Sequence, residues 1–289
     1  MNFNPEVASN LGAFCYNLAM KKYDKIQNSH YNKVAAESGT KPTSTMADIV
    51  VRDTETSSIM TTIQAWIERN KKSIKEIDIL DAGCGNGFTI DHLAKNFPIG
   101  THLLGLEYNK ELLKLAQSRN SNQFVWGDLF DKDTLPKEQF DIIILQRVLI
   151  NIQDPNHQIS ALENVVSLLK PGGLLIAIEA FSSGLDLINQ ARAEFNLEAV
   201  SMPYHNYYLN ENFFLQSEKI KQVNLGVSEY FLSTHYYLSY VFYPAMCQST
   251  NANFNRSSFF VKFFDRLLPN QGQFGANRFL TFMKVEHNG

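Results

Sequence analysis

The chain has 289 residues, 44% hydrophobic and 19% charged, with a formal net charge of −3. That is the make-up of an ordinary globular chain, long for one average domain and short for two, and it lacks the basic excess expected of a nucleic-acid binder. Its three scattered cysteines, Cys15, Cys84 and Cys247, argue against a disulfide framework or a cysteine-built metal site.

Met1–Met20 has no basic n-region ahead of an apolar stretch, so no signal peptide is expected. No apolar run approaches the roughly 20 residues of a membrane span, and a cytoplasmic location without membrane contact is expected. Val7–Tyr23 reads as a helix with Leu11, Phe14, Cys15 and Leu18 on one face, and Asn28–Thr45, polar and holding Gly39 and Pro42, reads as loop. Thr54 or Thr56 caps a helix through Met60, Ile63 and Trp66. A repeating strand–helix pattern then sets in. It comprises strand Ile77–Asp81, helix Ile90–Phe97, strand His102–Glu107, helix Asn109–Asn120, strand Phe124–Trp126, strand Asp141–Leu145, helix Gln158–Leu169, the Lys170–Gly173 turn and strand Leu174–Ile178. Such alternation predicts an α/β fold with a mostly parallel, doubly wound sheet covered by helices on both faces.

Beyond Ala180 the composition shifts. Gly184–Phe195 reads as a helix, Ser201–Asn210 as an aromatic loop, and Asn210–Lys221 as a helix capped by Asn210. Ser228–Phe242 alternates aromatic and small residues, which suits a long strand. Ser257–Leu268 reads as a helix and Arg278–Val285 as a final strand. The expected organisation is a lid segment over 1–53, a cofactor-binding core over 54–180, and a cap with closing antiparallel strands over 181–289, within one domain.

The stretch Ile77–Thr89 carries the most chemical information. A short apolar strand breaks into Gly83, Gly85 and Gly87, and an amphipathic segment follows. A buried strand, a glycine turn and a helix form a nucleotide-binding βα unit. The glycines let a ligand lie against the backbone, and the helix start offers free N–H groups. Asp81 stands just ahead of the first glycine. Cys84 sits inside the turn, where a small residue suffices. Glu107 closes the second strand, placed to accept hydrogen bonds from both ribose hydroxyls. The Gly-x-Gly-x-x-Gly spacing usual for a nicotinamide cofactor is not met.

Asp81-Ala-Gly83-Cys-Gly85-Asn-Gly87, Glu107, Gly127-Asp128 and Lys170-Pro-Gly-Gly, in that order, resemble the class I, seven-stranded S-adenosylmethionine-dependent methyltransferases over about residues 77–180. The resemblance implies S-adenosyl-L-methionine as cofactor, an antiparallel last strand and an N-terminal helical lid. It implies cofactor contacts from Asp81, Gly83, Cys84, Gly85, Glu107 and Tyr108, with Asp128 on the adenine amino group, Leu129 on the ring, and Gln146 at the end of strand four. Asn151 stands where many relatives carry a histidine, which removes one obvious base. Arg147 is a candidate to bind an anionic acceptor or to form a salt bridge, and Glu179 lies at the same rim.

The span Met202–Tyr243 holds eight of the twelve tyrosines, with His205 and His235. Most of these rings read as core. Tyr204–Tyr208 also reads as a loop over the acceptor, with His205 as general base and Tyr208 as a wall. Tyr23, Tyr31 and Arg52 belong to the lid, as pocket or packing residues. The expected reaction is methyl transfer to O or N of a small polar acceptor such as a sugar, amine or acid, by a monomer or homodimer, with neither metal nor nucleic acid. A protein or RNA acceptor, or cofactor binding without turnover, is the alternative.

Overall fold

The computed structural model describes residues 25–41, 44, 46, 48–98, 101–119 and 123–285. The helix expected at Val7–Tyr23, with Tyr23 and Cys15, lies outside them. Seven strands form one sheet in the order β3-β2-β1-β4-β5-β7-β6. They are β1 Asp78–Ala82, β2 His102–Glu107, β3 Phe124–Trp126, β4 Phe140–Gln146, β5 Leu169–Ala180, β6 Ile220–Gln222 and β7 Asn277–Lys284. The first five pair in parallel, and β7 runs antiparallel to both β5 and β6. β1 and β4 are neighbours while β2 and β3 lie to the other side of β1, so the chain reverses its winding between them. Ligands of open α/β sheets bind at that switch point, outside the carboxyl ends of the strands.

The central strands are apolar through their middles, since both faces are covered. Ile79, Leu80, Ile142, Ile143, Ile144, Leu174, Leu175 and Ile176 have no exposed surface. Their amino ends are tied by charge. Lys170 donates to Asp78 and Asp141, each at 2.6 Å, and Lys72 also reaches Asp141. Burial would raise the Asp141 carboxyl, but the two lysines hold it below the usual carboxylate range. The Lys170–Gly173 segment is thus part of β5, paired to β4 across an irregularity, and its lysine locks the sheet's floor.

Helices pack around the sheet: α2 Ile49–Asn70, α3 Phe88–Asn96, α4 Lys110–Arg119, α5 Pro155–Ser167 and α6 Ser182–Glu194, followed by α7 Ser233–Tyr236, α8 Tyr243–Thr250 and α9 Phe259–Leu267. A further helix, α1, covers residues 25–38. No described helix is long and apolar enough to cross a membrane.

Besides the Lys170–Gly173 turn, which is strand, four elements differ from the sequence expectation. Residues 28–38 are helical, not loop. Gly39, at φ +55°, ends that helix with its amide on Ala35 O, and its polar faces hide the periodicity because only a few residues turn inward. α2 starts at Ile49 behind an Asp48 cap, earlier than Thr54 or Thr56. Residues 210–221 hold a short 3-10 turn and β6 rather than a helix. The expected long strand Ser228–Phe242 is α7 running into a π-helical turn, Tyr237–Phe242, and on into α8. Its buried positions Leu232, His235, Tyr236 and Ser239 follow helical spacing, and Tyr236 stacks on Tyr240 one turn later at 5.1 Å. Tertiary packing overrides the β propensity of its aromatic residues.

Candidate active site

β1 delivers Asp81 and runs straight into the glycine turn. Gly83, Gly85 and Gly87 all take positive φ, at 85°, 58° and 77°, where a side chain would be strained. The amides of Gly83 and Cys84 donate to Leu106 O of β2 at 2.8 and 3.0 Å, pinning the turn to the neighbouring strand. Glu107, at the end of β2, accepts from Gly85 N at 2.8 Å and Asn109 N at 2.7 Å. Burial pushes its carboxyl up to about 7, against the pull of those amides. Asp81 is also pushed by burial to about 7, with Arg52 opposing, and its Oδ1 is buried with no hydrogen-bond partner. Arg52 comes from α2, 5.1 Å from the centre of the Phe88 ring; burial and then Arg147 lower it to about 10.

After β3, Asp128 accepts from Phe130 N at 2.9 Å, an Asx-type turn that fixes the loop. Leu129 is buried, and its carbonyl is held by Asn164 at 2.6 Å. Tyr108 has its carbonyl on Trp126 Nε1 at 2.9 Å.

At the end of β4, Arg147 takes φ +56°, a conformation rare outside glycine. Its guanidinium donates to both oxygens of Glu55, a fully buried residue of α2. Burial would lower Arg147, but Glu55 raises it above its ordinary value. Gln146 bridges the same carboxylate at 2.7 Å and Thr89 at 3.0 Å. Glu179 accepts three successive amides, Val148, Leu149 and Ile150, and so shapes the turn that follows β4. Asn151 donates to Arg147 O at 2.8 Å and meets the Tyr31 hydroxyl.

Facing this wall are α1, the 200–210 loop and α7–α8. One side chain, Gln27, donates to the carbonyls of both Asn151 and His205, at 2.6 and 2.7 Å. The His30 and His205 rings stack at 3.7 Å. Burial and then His30 lower His205 to about 4, and its Nδ1 is buried without a partner. Tyr208 is pushed up to about 12 by burial and Tyr240.

A cavity of about 350 Å³ lies between the two walls. Asp81, Gly83, Cys84, Gly85, Glu107, Tyr108, Asp128, Leu129 and Gln146 line it, and so do Arg147, Asn151, His205 and Tyr208. The structure therefore brings these thirteen residues together, with Tyr31 and Arg52, while Tyr204, Tyr207 and Glu179 do not line the cavity and Tyr23 lies outside the described residues. It adds Gln27, Tyr236, Tyr240 and Arg256 to the lining, and Glu55 behind it. Glu55 had a legible signal: it falls on the same face of α2 as Ile59, Ile63 and Trp66, all buried, and a carboxylate on an apolar face calls for a buried partner. Tyr236 and Tyr240 fell in the tyrosine-rich span but were read as core rings of a strand, and Arg256, between the expected strand and the next helix, carried no signal.

Residues 79–173 match the family model described as a methyltransferase domain. An uncharacterized methyltransferase of Schizosaccharomyces pombe is 31% identical over 152 residues, 45% of this chain and 53% of that one. Ubiquinone biosynthesis O-methyltransferase of Coxiella burnetii is 30% identical over 107 residues, 36% of this chain and 43% of that one. The chain thus spans about half the length of these curated relatives. Among solved structures, the plantazolicin methyltransferase BamL, in complex with a triazolic desmethylPZN analog and SAH, covers 94% of this chain and 99% of its own, with a TM-score of 0.55. At 12% identity that likeness is one of fold.

Proposed function

We propose that this chain, whose residues 79–173 match a methyltransferase domain model, is a class I enzyme that transfers a methyl group from S-adenosylmethionine to an oxygen or nitrogen of a small acceptor bound in the same cavity. The observation that carries the reading is one shared cavity, with the glycine turn, Asp81, Glu107 and Asp128 on one wall and the 200–210 loop with Tyr236 and Tyr240 on the other.

The residues present fit the cofactor. Asp81 Oδ1 is a buried acceptor in want of a donor, the need a ligand ammonium or N–H would meet. Glu107 spends one lone pair of each oxygen on Gly85 and Asn109, which leaves acceptor capacity for ribose hydroxyls. Asp128 and Leu129 hold the adenine end, and Gln146, Cys84 and Tyr108 complete the wall. When bound, the cofactor would supply an electrophilic methyl on its sulfonium sulfur, with S-adenosylhomocysteine as the leaving product.

The chain's contribution to rate is alignment and exclusion of water. Arg147 and Asn151 act as positioning residues, since their polar groups are engaged by Glu55 and by the backbone. His205, lowered to about 4, is neutral at pH 7. A base that weak accepts a hydrogen bond and aims the acceptor's lone pair. The proton departs to water after attack, when the acceptor atom carries positive charge and is strongly acidic. Gln27 and Tyr31 of α1 close the cavity over the end of β4.

Calorimetry with S-adenosylmethionine, followed by a methyl-transfer screen over sugars, amines and acids read by release of S-adenosylhomocysteine, tests the proposal. Binding in the micromolar range and turnover on one class are expected. No binding at tens of micromolar would sink the reading.

A further inference from the structure

The charges around the cavity are unevenly matched. On the cofactor wall, Arg147 is engaged by Glu55, and Arg52 faces Asp81. On the cap wall, the charged groups are Asp48 and Arg256. Asp48 is neutralised: it caps α2 and pairs with His235 at 3.1 Å. Arg256 forms no ion pair among the described residues. Its guanidinium stands 4.0 Å from the centre of the Tyr240 ring, and its Nε is buried without a hydrogen-bond partner.

Arg192 meets the backbone of Tyr240 and adds positive charge near it instead of cancelling that of Arg256. Its bonds go to backbone carbonyls, Glu198 O at 2.7 Å and Tyr240 O. Burial and the repulsion of Arg256 both lower it. Glu198 partly offsets Arg192 and Asp48 is paired with His235, so Arg256, with no ion pair among the described residues, leaves a positive end to a low-dielectric cleft, which concentrates anions. Beside Arg256 lies an aromatic surface, Tyr236 stacked on Tyr240 with Tyr208 adjoining. Burial keeps these phenols protonated, hence able to donate.

We infer that the acceptor is a small planar anion, whose carboxylate or phosphate is held by Arg256 and whose body lies against Tyr208, Tyr236 and Tyr240. An amine acceptor would meet repulsion there, and a neutral sugar would leave the guanidinium unmatched. A guanidinium fork suits either anion through paired N–H donors. The inference rests on the methyltransferase reading, and it assigns Arg256 to acceptor specificity rather than to the cofactor.

The test uses the full chain saturated with S-adenosylhomocysteine and calorimetry with matched probes: benzoate against benzamide, and phenyl phosphate against phenol. One acid should bind on the order of tenfold more tightly than its neutral partner, as a charge-assisted hydrogen bond predicts. Which acid does so identifies the anion. Arg256→Gln should abolish that preference and leave the affinities for S-adenosylhomocysteine and for the neutral probe unchanged, and Arg256→Lys should restore part of it. A variant that merely misfolds would lose all three affinities together.

Equal binding within both pairs, no binding of any probe, or a preference that survives in Arg256→Gln overturns the inference alone. So does a loss of S-adenosylhomocysteine affinity in that variant, which would place Arg256 on the cofactor. Failure of the native chain to bind S-adenosylhomocysteine overturns the methyltransferase reading, and the acceptor class with it.

Discussion

Between Asp81 and Asp128 the cavity wall is made by strand ends. Across from it, the wall is made by helices and a loop that reach the site from four separate stretches of chain. The strand-end wall is held by the register of parallel strands, with Asp81 opposite Gly105 and Glu107 opposite Trp126. Its Glu107 carboxylate is fixed by amides two and twenty-two positions away. The opposite wall has no such frame. Gln27 ties α1 to the 150 and 205 regions, His30 stacks on His205, and His235 bridges Asp48 and Asp265 at 3.1 and 3.2 Å. Cooperative backbone ladders secure one side, and a handful of polar side-chain ties secure the other. The two should therefore fail separately, and the weaker should open first.

The largest expected effect abolishes the distinction. Glu55→Ala strands the Arg147 charge in the interior and removes the link between α2 and β4, where both walls meet. Losing one partner of a buried ion pair costs about 3–5 kcal/mol. Urea denaturation should show a loss of that order, together with loss of cofactor binding; a variant as stable as the native chain would refute the arrangement.

A smaller effect sharpens the comparison through pH. Burial alone would lower His235, but hydrogen bonds to Asp265 and Asp48 push it up to about 9. Its folded value exceeds the unfolded one near 6.5, so its contribution is fully present below about pH 6.5 and is lost as pH rises through about 9. Asp81, Glu107 and Glu179, raised by burial to about 7, also lose stability with rising pH, but they finish titrating earlier. Hydrogen exchange between pH 8 and 10 should thus show residues 233–267 losing protection while β1–β4 keep theirs. Parallel loss in both regions would remove the separation.

Glu107→Ala acts on the strand-end wall alone. Loss of hydrogen bonds to the ribose should weaken S-adenosylmethionine binding by about 1–3 kcal/mol, with hydrogen exchange in the α7–α9 region unaltered. Calorimetry that finds native affinity would remove Glu107 from the cofactor. The smallest effect is Asn109→Ala. Its Oδ1 accepts from Glu111 N and Leu112 N at the start of α4, and its Nδ2 meets Asn28 and Asn32 of α1. A lost cap costs about 1 kcal/mol, and limited proteolysis of α1 should accelerate with it; an α1 as resistant as before would show that the helix is held elsewhere.

The strand–helix alternation from residue 77 to 180 was legible because its signals are local: apolar runs of strand length, glycines at the turns and a carboxylate at or just past the ends of β1, β2 and β3. The same locality made Asp81, Glu107 and Asp128 nameable as a set. The Lys170 segment was legible as a landmark but not for its physical role, which depends on Asp78 and Asp141 standing beside it in the folded sheet. Arg147 illustrates the limit from the other direction. Its position after β4 was plain, yet whether it faced an acceptor or an acid turned on Glu55, distant in sequence and brought close by α2 packing.

The sequence by itself determined the alternation of strands and helices, the glycine turn and the acids that face it, because backbone conformation and strand-end placement depend on neighbours along the chain. Only the tertiary structure decided what lies opposite. Residues 25–38 and 233–250 carry no decisive local preference. They become helices because Gln27, His235 and Tyr236 find their partners on other segments, and burial of those contacts outweighs the weak propensities of either stretch.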